Sequence, residues 1–345
     1  KDVLEGLQPH RNIKKLWIQN FQGKNLATWI MKLQNLVKIE LVECNRCEEI
    51  PMLGHLPHLA VVLINGMSSV KCIGIEFYGI PACIYTNAVS GDNSPAVRVA
   101  FPALRDLMLV KLPKLEEWMD AGEVDDPLLP LNSSSVIFPC LEVLEICDCP
   151  VLKRTPGHFP SLKRLCILGM NDSAALEKMS SGLTSLSTLV LKRIGGSKIQ
   201  RVTEQLLRNN PSLASVDIRI CWQLKKISTS CLQFCTSLRS LTLIVCRSLD
   251  SVPNLQNLIM LDELSVGGFC LELDHFPWPH PGPSVTSLWL HGWGKLKSLP
   301  HELQHLSASL RKLEISGFGG LESLPEWLGN LSNLRYLFIW NCPKL

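Results

Sequence analysis

The stretch that decides the fold reads Leu238-Arg239-Ser240-Leu241-Thr242-Leu243-Ile244-Val245-Cys246, and it returns as Leu310-Arg311-Lys312-Leu313-Glu314-Ile315-Ser316-Gly317-Phe318. Each opens on a leucine, carries two aliphatic residues separated by one other, and ends eight positions after its start on a cysteine or apolar residue. The spaced pair (Leu241 and Leu243, or Leu313 and Ile315) has the period of two by which a strand points alternate side chains to one face. The same spelling, with any aliphatic residue at each site, begins at Ile13, Leu36, Leu59, Leu104, Leu141, Leu162, Leu186, Leu213, Leu238, Leu261, Val285, Leu310 and Leu334.

Successive starts differ by 23, 23, 45, 37, 21, 24, 27, 25, 23, 24, 25 and 24 residues. All but the 45 and the 37 fall within the roughly 20–29 residues of a leucine-rich repeat. The eighth residue after each start is Phe21, Cys44, Met67, Leu112, Cys149, Met170, Ile194, Cys221, Cys246, Phe269, Trp293, Phe318 and Cys342, never a charged one. A single repeat cannot bury its apolar face alone, so neighbours must stack. The expected fold is therefore an α/β leucine-rich-repeat solenoid of about 13 repeats, a horseshoe arc. A parallel sheet lines its concave side, and loops and short helices its convex side. Residues 1–345 form one such domain, and the segment from Lys198 to Arg208 is predicted as a true helix by its apolar Ile199, Val202, Leu206 and Leu207. The two long intervals are expected to hold loops leaving the solenoid, at about 74–100 and 119–138. The first is rich in small residues from Ala88 to Ala96. The second includes the acidic run Glu116, Glu117, Asp120, Glu123, Asp125 and Asp126, read as a solvated loop with a docking element as the alternative.

Composition narrows the function. With 34 basic against 31 acidic residues the net charge of +3 is too small for a general nucleic-acid or membrane binder, and no apolar run approaches the ~20 residues of a membrane span. The opening KDVLEGLQPH has neither an initiator Met nor a signal peptide, so the chain reads as a piece of something longer. Five of the 14 cysteines (44, 149, 221, 246 and 342) fill the eighth-residue slot, where cysteine acts as a small apolar residue. Stacked slots bring some sulfurs close together, so free thiols imply a reducing, cytoplasmic setting. Glycosylation-like triplets at Asn132, Asn171 and Asn330 are weak evidence for the opposite.

No catalytic constellation emerges. His301-Glu302-Leu303-Gln304-His305 matches the zinc-protease spelling, but Leu303 and Leu306 are convex repeat positions, and residue 311, where the extended motif has a third His, is Arg. Cys44-x-x-Cys47 lacks a second pair at zinc-site spacing, and both cysteines are inward. Neither Gly23-Lys24 nor Gly294-Lys295 has the upstream Gly of a phosphate loop. We expect no enzyme, no cofactor, no metal and no nucleic acid.

Several blocks resemble plant intracellular immune receptors of the coiled-coil, nucleotide-binding, leucine-rich-repeat family. They are Val3-Leu4-Glu5-Gly6-Leu7-Gln8-Pro9-His10 with Asn12 and Ile13; Arg46-Cys47-Glu48 through Ile50-Pro51 and Leu53-Gly54-His55-Leu56-Pro57; Ile73-Gly74-Ile75-Glu76-Phe77-Tyr78-Gly79 with Phe101-Pro102-Ala103-Leu104 and Leu115-Glu116-Glu117-Trp118; and Phe138-Pro139-Cys140-Leu141 through Cys149-Pro150. The blocks cover residues 1 to about 165. The resemblance implies a region that recognises a protein ligand, a pathogen effector or a host protein, and restrains a nucleotide-binding switch domain that these residues do not contain.

Positions two, four and six after each start point away from the core and are free to serve recognition. Trp289, His291, Tyr336, Phe338 and Trp340 are the expected ligand anchors, because exposed aromatics make good hot spots; the alternative is that a C-terminal tail covers the last three. Residues 1–38 carry seven basic against two acidic side chains, and Lys14, Lys15 and Lys38 are the candidate contact to the switch domain, against a merely solvated basic face. Two other functions use the same repeat: a substrate receptor of a ubiquitin ligase, which needs an upstream adaptor-binding motif, and an extracellular receptor ectodomain, which needs a signal peptide and oxidised cysteines.

Overall fold

A computed structural model describes residues 3–79, 98–120, 135–269, 276 and 278–345. The chain divides into two compact units, Lys1–Ser185 and Leu186–Leu345. In the first unit the repeat strands are β1 (Lys15–Gln19), β2 (Lys38–Val42) and β3 (Val61–Asn65), followed after two short strands, β4 (Cys72–Ile73) and β5 (Arg98–Ala100), by β6 (Asp106–Val110). Beyond the short β7 (Glu117–Trp118) and β8 (Ser135–Ile137) come β9 (Val143–Cys147) and β10 (Arg164–Met170). Repeat strands pair in parallel with their repeat positions in register, as Trp17 with Glu40, Glu40 with Leu63, Leu63 with Met108 and Met108 with Glu145. The second unit adds β11 (Thr188–Ile194), β12 (Ser215–Arg219), β13 (Ser240–Ile244), β14 (Glu263–Gly267), β15 (Ser287–His291), β16 (Lys312–Ser316) and β17 (Tyr336–Trp340), again all parallel and in register. The leucine-rich-repeat solenoid class and its thirteen strands stand as read.

Helix α1 (Glu177–Gly182) is short, α2 (Ile199–Asn209) is the expected true helix, and α3 (Thr229–Leu232) is a single turn. The apolar stripe of α2 buries Ile199, Val202, Leu206 and Leu207, and its Thr203 is buried with them. Other returns carry 3-10 turns at Thr28–Lys32, Ile75–Tyr78, Ser173–Leu176, His301–Leu306 and Glu326–Asn330.

The core follows the repeat. In the eleven repeats starting from Leu36 to Leu310, all four inward positions are at most 1% exposed. In the first repeat Ile13, Leu16 and Phe21 are half-buried, and in the last Leu337 is 42% exposed, because within residues 1–345 each is covered by a repeat on one side only. Part of the first repeat is covered by its own lead-in: the 3-10 turn Glu5–Leu7 is held by Thr28, whose N–H and hydroxyl donate to Glu5, and by Trp29 Nε1 donating to the Leu4 carbonyl at 2.9 Å.

Parts of both intervals expected as loops belong to the repeats. Phe77, Tyr78, Ala100 and Phe138 lie in the core, not in loops, and Trp118, just before the second interval, is buried as well. Phe101, Phe138 and Phe159 each begin a Phe-Pro-x-Leu run and stack in a column, with centroids 5.1 and 5.6 Å apart. Phe77, Tyr78 and Trp118 pack onto its flank, and Tyr78 Oη donates to the Met119 carbonyl at 2.7 Å. Of the acidic run, Glu117 sits in β7, Glu116 pairs with Lys153 at 2.6 Å and Asp120 with Lys178 at 3.1 Å. These residues belong to the repeats and correct the loop reading. Glu123, Asp125, Asp126, the stretch from Ala88 to Ala96 and Asn132 lie outside the described residues.

One repeat-wide feature had no spelling in the sequence. The seventh residue after the start takes a left-handed conformation, φ between 52° and 74°, in twelve of the thirteen repeats. That geometry turns the chain out of the strand while its N–H still donates one step further along the ladder, as from Glu43 to Asn65 and from Ile220 to Ile244. Glycine or asparagine fits at little cost and occurs at Asn20, Gly66, Gly169, Gly268, Gly317 and Asn341, but Ile220 and Val245 are β-branched and strained there. Ile220→Gly should therefore stabilise the protein by up to about 1 kcal/mol, relief of strain exceeding the added unfolded-state entropy. Gly66→Val should lose about as much. Urea midpoints followed by circular dichroism measure both, and a destabilised Ile220→Gly would show that side-chain contacts outweigh the backbone term.

Candidate functional site

The register of the second unit sets Asp217, Thr242, Ser265, Trp289, Glu314 and Phe338 side by side on the outward face of the sheet. The next outward row holds Arg219, Ile244, Gly267, His291, Ser316 and Trp340 in the same order. Small residues at Thr242, Ser265 and Gly267 leave a furrow of about 390 Å³, walled by Asp217 and Arg219 on one side and by Trp289 and His291 on the other. Lys192 reaches Asp217 at 2.8 Å and Arg219 Nε donates to it at 2.6 Å, so that wall carries one surplus positive charge.

His291 bridges three strands. Its Nε2 lies 3.2 Å from Ser265 Oγ and its Nδ1 3.1 Å from Ser316 Oγ. Burial pushes its pKa below the usual histidine value, Glu314 draws it back up and Arg219 adds to the fall.

The expected anchors are thus of two kinds. Tyr336, Phe338 and Trp340 are exposed at 59%, 46% and 54%, whereas Trp289 and His291 are half-buried furrow walls. Lys312 joins the two sets, its Nζ 4.9 Å from the Trp289 ring centroid and 5.4 Å from that of Phe338. Glu314 accepts from Trp340 Nε1 at 3.0 Å. The aromatic rings are therefore held in place by a cation and a carboxylate between them. Sequence reasoning had the rings but missed Lys312 and Glu314, although both occupy outward positions of the intervening repeat.

At the other end, Lys14 and Lys15 are exposed. Lys38 is partly shielded and pairs with Glu40 at 2.8 Å, and Lys24 pairs with Glu48 at 3.0 Å. The positive charge outside these ion pairs is accordingly narrower than the sequence count and comprises Arg11, Lys14, Lys15 and Lys32, all exposed. Lys1, which that count included, lies outside the described residues.

His301–Leu306 is a 3-10 helix. At three residues per turn, positions four apart diverge by a third of a turn, so His301 and His305 do not share a face as zinc ligands would. Among the described residues no group of three or more His, Cys, Asp and Glu could hold a metal ion.

The eighth-slot cysteines do more than fill space. Cys44, Cys149 and Cys221 each place Sγ 3.6–3.9 Å from two backbone carbonyls, one in the same repeat and one in the repeat before. The described cysteines are free thiols. Burial pushes Cys149 up to about 12 and Cys235 up to about 11, which keeps both protonated and inert.

Comparison with known proteins adds a family context. Residues 1–67 match the family described as R13L1/DRL21 LRRs. The chain is 30% identical over 264 residues to a putative disease resistance RPP13-like protein 1 of Arabidopsis thaliana, covering 74% of this chain and 23% of that protein. It is 28% identical over 199 residues to a putative disease resistance protein RGA4 of Solanum bulbocastanum, covering 56% of this chain and 17% of that protein. The chain thus spans less than a quarter of the length of these curated relatives. Among solved structures, an internalin from Listeria monocytogenes aligns over 94% of this chain and 86% of its own, with TM-score 0.46 and 15% identity.

Two outcomes follow from the site. His291 should titrate below the 6.5 of an unperturbed histidine in ring-proton NMR. Since the unfolded chain then takes up the proton first, stability should fall as pH drops through about 6.5, and His291→Gln should remove that part of the loss; a midpoint above 6.5 would mean Glu314 outweighs burial. Thiol counting under denaturing, non-reducing conditions should find every cysteine free, with Cys149 and Cys235 silent until the chain unfolds, and several disulfides would contradict the cytoplasmic reading.

Proposed function

This chain belongs with the leucine-rich-repeat regions of plant disease-resistance proteins, and from that premise we propose that it recognises a protein ligand and restrains a switch domain of its parent receptor. The ligand is a pathogen effector or a host protein, and it docks on the outward face of the second unit. The observation that carries the reading is the aromatic group of Phe338, Trp340 and Trp289, set around Lys312 and Glu314 on consecutive strands. Rings held in one geometry lose little rotamer freedom on binding, which is what makes aromatic anchors effective.

Restraint falls to the opposite end. Lys14 and Lys15 form the exposed positive site, and an acidic surface on the switch domain is its complement. Lys38, already paired with Glu40, contributes less. The setting is the cytoplasm. Among the described residues no helix is long and apolar enough to cross a membrane.

The two ends should separate genetically. In a cell-based activation assay of the full receptor, at matched protein levels, Phe338→Ala with Trp340→Ala should abolish the response to ligand without causing self-activity. A truncated anchor costs about 2 kcal/mol or more, roughly 30-fold in affinity. Charge reversal at Lys14 and Lys15 should instead raise activity without ligand. A normal ligand response from the aromatic variant would remove the docking proposal, and a silent Lys14/Lys15 variant would remove the restraint.

A further inference from the structure

The outward face of the first unit differs in kind from that of the second. Where β12 to β14 present mostly hydroxyls and charges, β3, β6, β9 and β10 present Val61, Leu63, Met108, Val110, Val143 and Leu168, all half-exposed. Strand register sets Leu63 beside Met108, places Val61 and Val143 on either side of Asp106, and joins Val110 to Leu168 through Cys147. None of these side chains is needed for the core, whose inward positions are already sealed.

The edges of this window are charged and internally neutral. Lys38 and Glu40 pair at 2.8 Å on the neighbouring β2, and Arg164 Nε lies 3.7 Å from Glu145 across β9 and β10. An apolar centre inside a polar rim is the anatomy of a protein interface. At the far end of the strands the turn positions carry Glu43, Lys111 and Asp148, charges of both signs. The outward ionised groups on these four strands are Asp106, Glu145 and Arg164; the last two pair with each other, and Asp106 has no ion-pair partner among the described residues.

Dimensions select the occupant. At about 4.8 Å between strands and 3.3 Å per residue, the window measures roughly 14 Å across four strands and 13 Å along them. That is too broad for a single added strand and suits the ~10–12 Å diameter of an α-helix over two or more turns. We propose that this window is a second docking surface, separate from the aromatic group, and that it takes an amphipathic helix of a protein partner whose apolar side is bordered by a basic residue facing Asp106.

Three fluorescein-labelled 18-residue peptides test this against the chain of residues 1–345: an amphipathic Leu/Lys helix, the same helix with Glu for Lys, and a scrambled Leu/Lys sequence. Fluorescence anisotropy should show the Leu/Lys helix binding at least tenfold more tightly than either control, against the chain's own net charge of +3, which favours the acidic one. Leu63→Asp or Met108→Asp should weaken binding tenfold or more, with Leu63→Ser as the milder variant if the aspartates disturb folding. Asp106→Lys should reverse the preference towards the Glu peptide. In ¹³C-methyl methionine spectra the Met108 signal should move on binding. No binding, equal binding of the acidic and basic helices, indifference to the Leu63 and Met108 variants, or shifts at other methionines alone would each overturn the proposal. Because Phe338 and Trp340 lie outside the window, their alanine variants should leave these affinities unchanged, so this test and that of the aromatic anchors fail independently.

Discussion

Everything in this protein depends on one constraint: an inward side chain is sealed from water only by the repeats on either side of it. Four positions per repeat face the interior, and in the eleven repeats with neighbours on both sides none is more than 1% exposed. The parallel ladder enforces that match. Its hydrogen bonds fix each strand in register with the next, so Leu241 stands between Val216 and Leu264, and Leu313 between Leu288 and Leu337. A slip of one residue would turn every inward side chain outward. The left-handed residue after each strand extends the same logic, bonding once more to the neighbouring repeat while releasing the chain to turn back.

The turn is tolerant of sequence because the ladder overrides local preference. Glu43, Lys111, Arg193, Ile220 and Val245 all adopt φ near +55°. For a β-branched residue that conformation is costly in isolation, and here the bonds on both sides hold it. The cysteine slots show related economy. A thiol is small enough for a packed interior and still approaches two carbonyls, which a methyl group could not serve.

The outward face escapes the sealing constraint, and its chemistry changes along the chain. The first unit shows aliphatic residues framed by ion pairs, and the second shows a hydroxyl-floored furrow beside aromatic rings held by Lys312 and Glu314. The first unit also shows how a repeat absorbs extra chain. The column of Phe101, Phe138 and Phe159 keeps the returning side packed through both long intervals, so that β3, β6 and β9 stay paired as if nothing intervened.

The periodic signal was legible because burial acts on residue type: a position that must be dry in every repeat is written as Leu, Ile, Val, Met, Phe, Trp or Cys each time, and α2 announced itself through Ile199, Val202, Leu206 and Leu207. The outward aromatics were legible for the complementary reason, since Tyr336, Phe338 and Trp340 occupy positions where no core requires them. Side-chain partnership across strands was not legible. Residues 23 to 26 apart in sequence, such as Glu314 and Trp340 or His291 and Ser316, meet only after the ladder sets them side by side. The left-handed turn was equally hidden, because backbone bonds impose it on almost any side chain. The sequence by itself determined which residues are inside. Only the tertiary structure decided which outward residues touch, because that depends on register between strands and on rotamers chosen against neighbours distant in the chain.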